Sequence, residues 1–153
     1  MLAVVLMHVR YEGTPLRIFS TGKAYRVCQP DPTHLEAFHQ AEVFCLDERA
    51  RLDKWEVMAL VLRSVEATMP GLAVRMMPTS YPMCSQAWDV DVEWNGRWWE
   101  VLAFGVFTDR VVSHLGADPA LHTAIGVGYG LERLAMLRYR IDDIRKLDVA
   151  SVA

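Results

Sequence analysis

The 153-residue sequence is poor in the features that mark several functional classes. It has three cysteines, Cys28, Cys45 and Cys84, an odd number with no C-x-x-C pair. That disfavours a disulfide framework and a zinc site, and fits a reducing cytoplasm. No block of Lys or Arg occurs and the net charge is −3, so composition argues against an electrostatic nucleic-acid or membrane binder. Any contact with nucleic acid has to be local. Repeats, low-complexity runs and linkers are missing as well. The apolar opening, MLAVVLMHVRYEG, is too short to span a bilayer and lacks a basic leader and a small-residue cleavage site; it reads as a buried first strand. Apolar residues are plentiful, at 52%, enough for a single domain over 1–153 with a real core.

Local patterns then divide the chain into elements. LRIFSTGKAYRV reads as a strand pair around a Thr-Gly turn, and FHQAEVFCL as a further strand with mixed faces. Residues 53–69 place Trp55, Met58, Ala59, Leu62, Val65 and Met69 at helical spacing, with Asp53 as the cap and Pro70-Gly71 as the stop. In WDVDVEWNGRWWEVLAF, Asn95-Gly96 between two alternating runs predicts a type I′ hairpin. Counting outward, Trp94 opposes Arg97, Val92 opposes Trp99, Val90 opposes Val101 and Trp88 opposes Ala103, giving an indole-rich apolar face. On the other face Glu93 opposes Trp98 and Asp91 opposes Glu100. Like charges directly opposite are unfavourable, so either this face is well solvated or Asp89, Asp91 and Glu100 line a site for a cation, an ammonium group or a magnesium nucleotide.

The sharpest question comes from GVGYGLERLAMLRYRIDDIRKL, residues 126–147. In a strand Gly126, Gly128 and Gly130 clear one face of every Cβ, leaving room for a flat ligand or for a neighbouring helix. The next segment reads as a helix with Leu134, Leu137, Ile141 and Ile144 as its apolar stripe. It puts Arg133 in the first turn, where a cation opposes the helix dipole unless an anion or a π-face needs it. The spacing matches neither a Rossmann nor a P-loop signature.

These residues resemble motif 3 of class II aminoacyl-tRNA synthetases, in the form carried by the phenylalanyl-tRNA synthetase α subunit. GKAYRVCQPDPTHLEAFHQAEVF resembles motif 2 of the same family, and DVDV and WWEVLAFG resemble its acidic and Trp-Leu-Glu-Val strands. The resemblance implies an α+β fold, an antiparallel sheet flanked by helices, with ATP and Mg²⁺ as cofactors. It implies that the glycine strand, including Gly128 and Gly130, floors the ATP site. Arg133 and Phe38 would cover the two faces of the adenine, Arg26 would bind the α-phosphate and His34 would lie near the β and γ phosphates. Glu100 is the family's nucleotide and magnesium glutamate, with Asp91 beside it, and Gln40 and Glu42 receive the substrate's amino group. Arg26 and Arg133 are the implied catalytic residues, and Arg133, facing the ligand, is expected to matter little for folding.

The chain also departs from that family. Motif 1, the N-terminal coiled coil and the Thr-His-Thr-Ser strand have no counterpart in the sequence, so a homodimer through residues 1–9, or an unidentified partner there, is expected. The acid two places after the motif 2 arginine is Cys28. The substrate-gripping Phe-Pro-Phe is Tyr81, Pro82, Met83, a following glutamate is Ser85, and the small residue under the substrate ring is Gly126. The implied pocket is more polar at one end, wider at the other, and no longer suited to phenylalanine. Arg140 replaces the glycine of Tyr-Gly-Ile, at a cost of about 1 to 2 kcal/mol if that position is left-handed. Three readings stay open: an enzyme that activates an amino or other carboxylic acid as an adenylate, with tRNA or another acceptor; a non-catalytic module that binds an amino acid, nucleotide or tRNA end; and a truncated piece of a synthetase gene.

Overall fold

The computed structural model describes residues 11–13 and 15–147. The opening apolar strand and the interface placed on residues 1–9 therefore lie outside the described residues. Six strands form one antiparallel sheet in the order β1-β2-β6-β5-β4-β3: β1 (Leu16–Tyr25), β2 (Ala37–Glu48), β3 (Val74–Thr79), β4 (Cys84–Trp94), β5 (Arg97–Phe107) and β6 (His122–Gly130). Among the described residues three helices accompany them, α1 (Lys54–Thr68), α2 (Asp109–His114) and α3 (Leu131–Arg138), followed by a 3₁₀ turn at Ile144–Leu147. This is the α+β architecture expected.

The expected reversal at Thr21-Gly22 does not occur. Thr21 pairs with Ala41 and Gly22 with Gln40 inside one unbroken ladder between β1 and β2. A turn signal yields there because β2 offers a partner for every residue of β1, and the chain turns back only after Tyr25. Helix α1 forms where its spacing puts it, with the Asp53 carboxylate accepting from the amides of Trp55 and Glu56. Its buried line is rotated from the expected stripe, however. Val61, Val65 and Met69 are buried, while Trp55 is 59% exposed.

Asn95 (φ 51°) and Gly96 (φ 72°) make the left-handed pair that a type I′ turn requires. The counted register holds from Trp94↔Arg97 to Asp91↔Glu100 and then slips by one residue, giving Val90↔Leu102, Asp89↔Ala103 and Trp88↔Phe104. Val101 is the extra residue of a β-bulge, a feature local alternation does not reveal.

The two faces of the sheet differ. One packs Val90, Val92, Leu102, Phe104, Ile125 and Val127 against α1 and against Met136 and Leu137 of α3. On the other, a smaller cluster joins Phe44, Leu46 and Ala124 to Val112 and Leu115 beneath α2. Helix α3 stops at Arg138, so Ile141 and Ile144 are not on it. Its end is a Schellman motif in which the Ile141 amide donates to the Met136 carbonyl (2.8 Å) and Arg140, at φ 57°, takes the position that favours glycine.

Candidate active site

Residues opposite one another in a ladder share a face, so the register alone assembles the site. Gln40 lies opposite Gly130, Glu42 opposite Gly128 and Phe44 opposite Gly126. Across β6, Ala103 pairs with Gly128 and Gly105 with Gly126. Asp89 then pairs with Ala103, Asp91 with Glu100, and Arg75 with Asp91. Bulging at Val101 lets Glu100 and Ala103, three positions apart, face the same way. A cavity of about 190 Å³ opens on this face, lined by Arg26, Phe38, Gln40, Tyr81, Glu100, Gly128, Gly130 and Arg133 among others.

The β1–β2 connection and the chain after β6 build the rim. Arg26 donates from Nε to the Leu35 carbonyl (3.0 Å), and its guanidinium lies 4.7 Å from the centroid of the Phe38 ring. Arg133 reaches from the first turn of α3 to two backbone carbonyls, those of Glu100 (2.6 Å) and Thr33 (3.2 Å). The Ile144 amide donates to the Pro32 carbonyl (2.9 Å), so the 3₁₀ turn also holds this loop. Within the loop, Thr33 donates from its hydroxyl and amide to Asp31 (2.7 and 2.6 Å), which holds that carboxyl well below the usual carboxylate range. The His34 ring sits 3.1 Å from the same carboxylate. Behind the rim, Glu132 accepts from the His39 amide (2.7 and 2.8 Å) and lies 2.6 Å from His39 Nδ1.

Asp89, Asp91 and Glu100 are in different states. Asp91 is buried and accepts from Arg75 Nε (2.8 Å). Arg75, on the edge strand β3, is thus the cation that offsets the Asp91–Glu100 opposition. Asp89 accepts from the Tyr81 hydroxyl (2.8 Å), and burial together with that bond pushes the phenol well above its ordinary range. Among the described residues Glu100 makes no such side-chain bond, and the charges of Arg133 and Arg26 offset its shift only in part. Glu100 stays exposed to solvent, and partial desolvation first, then the charge of Asp89, push its carboxyl up. Burial lowers the Arg133 guanidinium, with Glu100 opposing the shift; the acid–base pair is complementary across the cavity.

Of the residues singled out in the sequence, His34, Glu42, Met83, Ser85, Gly126, Asp89 and Asp91 stand outside the cavity's lining. Glu42 is 3.5 Å from the Ser20 hydroxyl. Ser85 occupies a register shift at the start of β4 and donates to the Val106 carbonyl (3.2 Å), and Met83 is 49% exposed. The glycine face is not bare either. A Cβ at Gly128 would lie 2.7 Å from Gln40 Nε2, and one at Gly126 would lie 2.6 Å from the Phe107 ring; only at Gly130 is the nearest atom, the Val101 carbonyl oxygen, as far as 3.9 Å. The expected widening at Gly126 is therefore absent, because Phe107 fills it. Sequence reading passed over Phe107, Thr33, Glu132 and Arg75. Glu132 could have been found, since it adjoins Arg133, whereas the others depend on contacts distant in the chain.

Among the described residues no three His, Cys, Asp or Glu side chains are placed to hold a metal ion by themselves, and none of their helices is long and apolar enough to cross a membrane. Cys28, Cys45 and Cys84 are free.

Comparison with known proteins places the chain in a family. Curated relatives include the phenylalanine–tRNA ligase alpha subunits of Nostoc punctiforme, 33% identical over 145 residues, and of Prochlorococcus marinus, 38% identical over 133 residues. The alignments cover 95% and 87% of this chain but 43% and 39% of those proteins, so the chain spans about two fifths of the length of the relatives it matches. The profile of the tRNA synthetases class II core domain (F) matches residues 2–152. The chain, phenylalanyl-tRNA synthetase α-like along nearly its whole length, belongs to the class II tRNA synthetase core domain family.

Proposed function

We propose that this chain binds ATP with Mg²⁺ and joins an amino acid, or another small carboxylic acid, to AMP as an acyl-adenylate. One observation carries the reading: a single cavity gathers Arg26, Phe38, Glu100, Gly130 and Arg133, a set suited to a magnesium nucleotide. The open backbone at Gly130 admits a flat base, which Phe38 and Arg133 flank; stacking of a cation on a π-system is worth about 0.5 to 2 kcal/mol, depending on desolvation. In the reaction the acid's carboxylate oxygen attacks the α-phosphorus, and the bond to the bridging oxygen breaks to release pyrophosphate. Arg26 would leave the Phe38 ring and stabilise the charge that grows on the α-phosphate. Glu100 would hold Mg²⁺ jointly with the nucleotide's phosphates; Asp91, committed to Arg75, adds charge to that side. His34 would lie toward the outer phosphates, and Gln40 and Glu42 toward the acid's amino group.

The relatives' names add an acceptor, tRNA, and a subunit partner. With net charge −3, a tRNA contact would rest on local groups rather than on a basic surface. Among the described residues β1 is an edge strand, with Phe19 69% and Tyr25 76% exposed, and a partner or a second copy could add to it; light scattering showing only monomers would remove a homodimer. Free thiols suit a cytoplasmic setting. Exchange of labelled pyrophosphate into ATP, run across an amino-acid panel alongside calorimetry with ATP and magnesium, tests the activity. Exchange with any acid supports adenylate formation. ATP binding without exchange would leave a non-catalytic binding module, and no ATP binding would end the nucleotide reading.

A further inference from the structure

The glycine strand gives the site a direction. Gly130, Gly128 and Gly126 follow one another on one face, about 7 Å apart. The groups suited to a nucleotide, Arg26, Phe38, Glu100 and Arg133, gather at the Gly130 end. Polar groups able to receive an ammonium flank Gly128, with Gln40 on one side and the Tyr81–Asp89 pair on the other. The side chain of an acid bound between them would extend over Gly126, the next cleared position.

That position is taken by the protein itself. A Cβ on Gly126 would lie 2.6 and 2.9 Å from two atoms of the Phe107 ring, so the ring rests directly on bare backbone. It is not a loose gate. Phe107 packs on Phe44, a fully buried side chain, with ring centroids 5.3 Å apart, and Phe44 is fastened in turn to Val112 and Leu115 beneath α2. The neighbouring glycine on β5 is covered in the same way, because a Cβ at Gly105 would lie 2.6 Å from Cys84 Sγ. The cavity accordingly ends before Gly126.

We propose that Phe107 sets the substrate size of this site: its ring occupies the side-chain subsite over Gly126, so the acid accepted has a small side chain, of the size of glycine, alanine or serine, and an aromatic acid is excluded. The proposal rests on the adenylate reading above.

Two measurements test it. The first needs no activity. Gly126→Ala should lower the melting temperature in the wild-type background and do so much less in Phe107→Val, because the smaller side chain makes room; equal losses in both backgrounds would show that the ring does not fill the subsite, and would overturn the proposal. The second is pyrophosphate exchange with glycine, alanine, serine, phenylalanine and tyrosine, by wild type, Phe107→Val and Phe107→Ala, each checked for folding by circular dichroism. Expected are exchange by wild type with a small acid alone, and a rise in the phenylalanine-to-alanine preference of at least about tenfold in a folded variant, the low end of what one pocket methylene discriminates. Wild type that exchanges phenylalanine as well as alanine overturns the size assignment and leaves ATP chemistry standing. Wild type that binds no ATP overturns both, even if the Gly126–Phe107 coupling is present.

Discussion

Arg133 joins the binding site to the fold, and its removal should be felt in both. Arg133→Ala deletes two charged hydrogen bonds, to the Glu100 carbonyl at 2.6 Å and to the Thr33 carbonyl at 3.2 Å. Bonds to charged groups contribute about 1.5 to 3 kcal/mol each when well formed. The second is long, and both carbonyls can turn to water once the side chain is gone, so a combined loss of about 2 kcal/mol is expected. For a chain of this length that is a fall of roughly 4 to 8 °C in melting temperature. The acceptors are neutral, so salt should change the loss little. Lysine cannot bridge two carbonyls with a planar fork, and Arg133→Lys should recover less than half. Differential scanning calorimetry of the three proteins without nucleotide measures this. If Arg133→Ala melts within about 1 °C of wild type, the arginine does not hold the β1–β2 loop to β5, and the earlier expectation of an arginine free to face its ligand is restored. ATP affinity should also fall, by about 1 to 3 kcal/mol.

Other perturbations act on separate parts of the structure. Arg140→Gly relieves a left-handed residue, worth about 1 to 2 kcal/mol, and returns about 0.5 to 1 kcal/mol of it through the freer unfolded chain; the unfolding free energy measured by urea titration should rise by a net of about 0.5 to 1 kcal/mol, whereas Arg140→Ala should give no comparable gain. Glu100, although exposed to solvent, is pushed up by partial desolvation and by Asp89, so its charge opposes folding at neutral pH by an amount that solvent screening keeps small. Wild type should gain stability relative to Glu100→Gln as pH falls through the raised carboxyl range, levelling off below the ordinary glutamate value. Magnesium–ATP affinity should move the opposite way, weakening over the same window as the proton competes. Calorimetry that finds both quantities independent of pH there would refute the assignment.

Several features were legible because the chemistry that fixes them is local. Asn95-Gly96 is a type I′ turn since both residues tolerate positive φ, and the register near it follows by counting. Asp53 caps α1 because its oxygen reaches amides two and three residues on. Gly126, Gly128 and Gly130 announced a cleared face, and Arg133 after them announced a group that does not belong at a helix start; both signals are confined to a few consecutive residues.

What remained hidden depends on a partner distant in the chain. Thr21-Gly22 signals a turn, yet β2 pairs through it. The bulge at Val101, which leaves Asp91–Glu100 and Asp89–Ala103 on one face, is a matter of pairing between β4 and β5. Arg75 neutralises Asp91 from another strand, and Arg133 finds Thr33 one hundred residues away. By itself the sequence determined the 53–69 helix, the Asn95-Gly96 hairpin, the family and which strand lacks side chains on one face, since periodicity, capping and turn chemistry act over a few residues. Only the tertiary structure decided what fills that face. Whether the gap over Gly126 receives a ligand or the protein's own Phe107 is a matter of volume, and volume is settled by packing across the sheet, not along the chain.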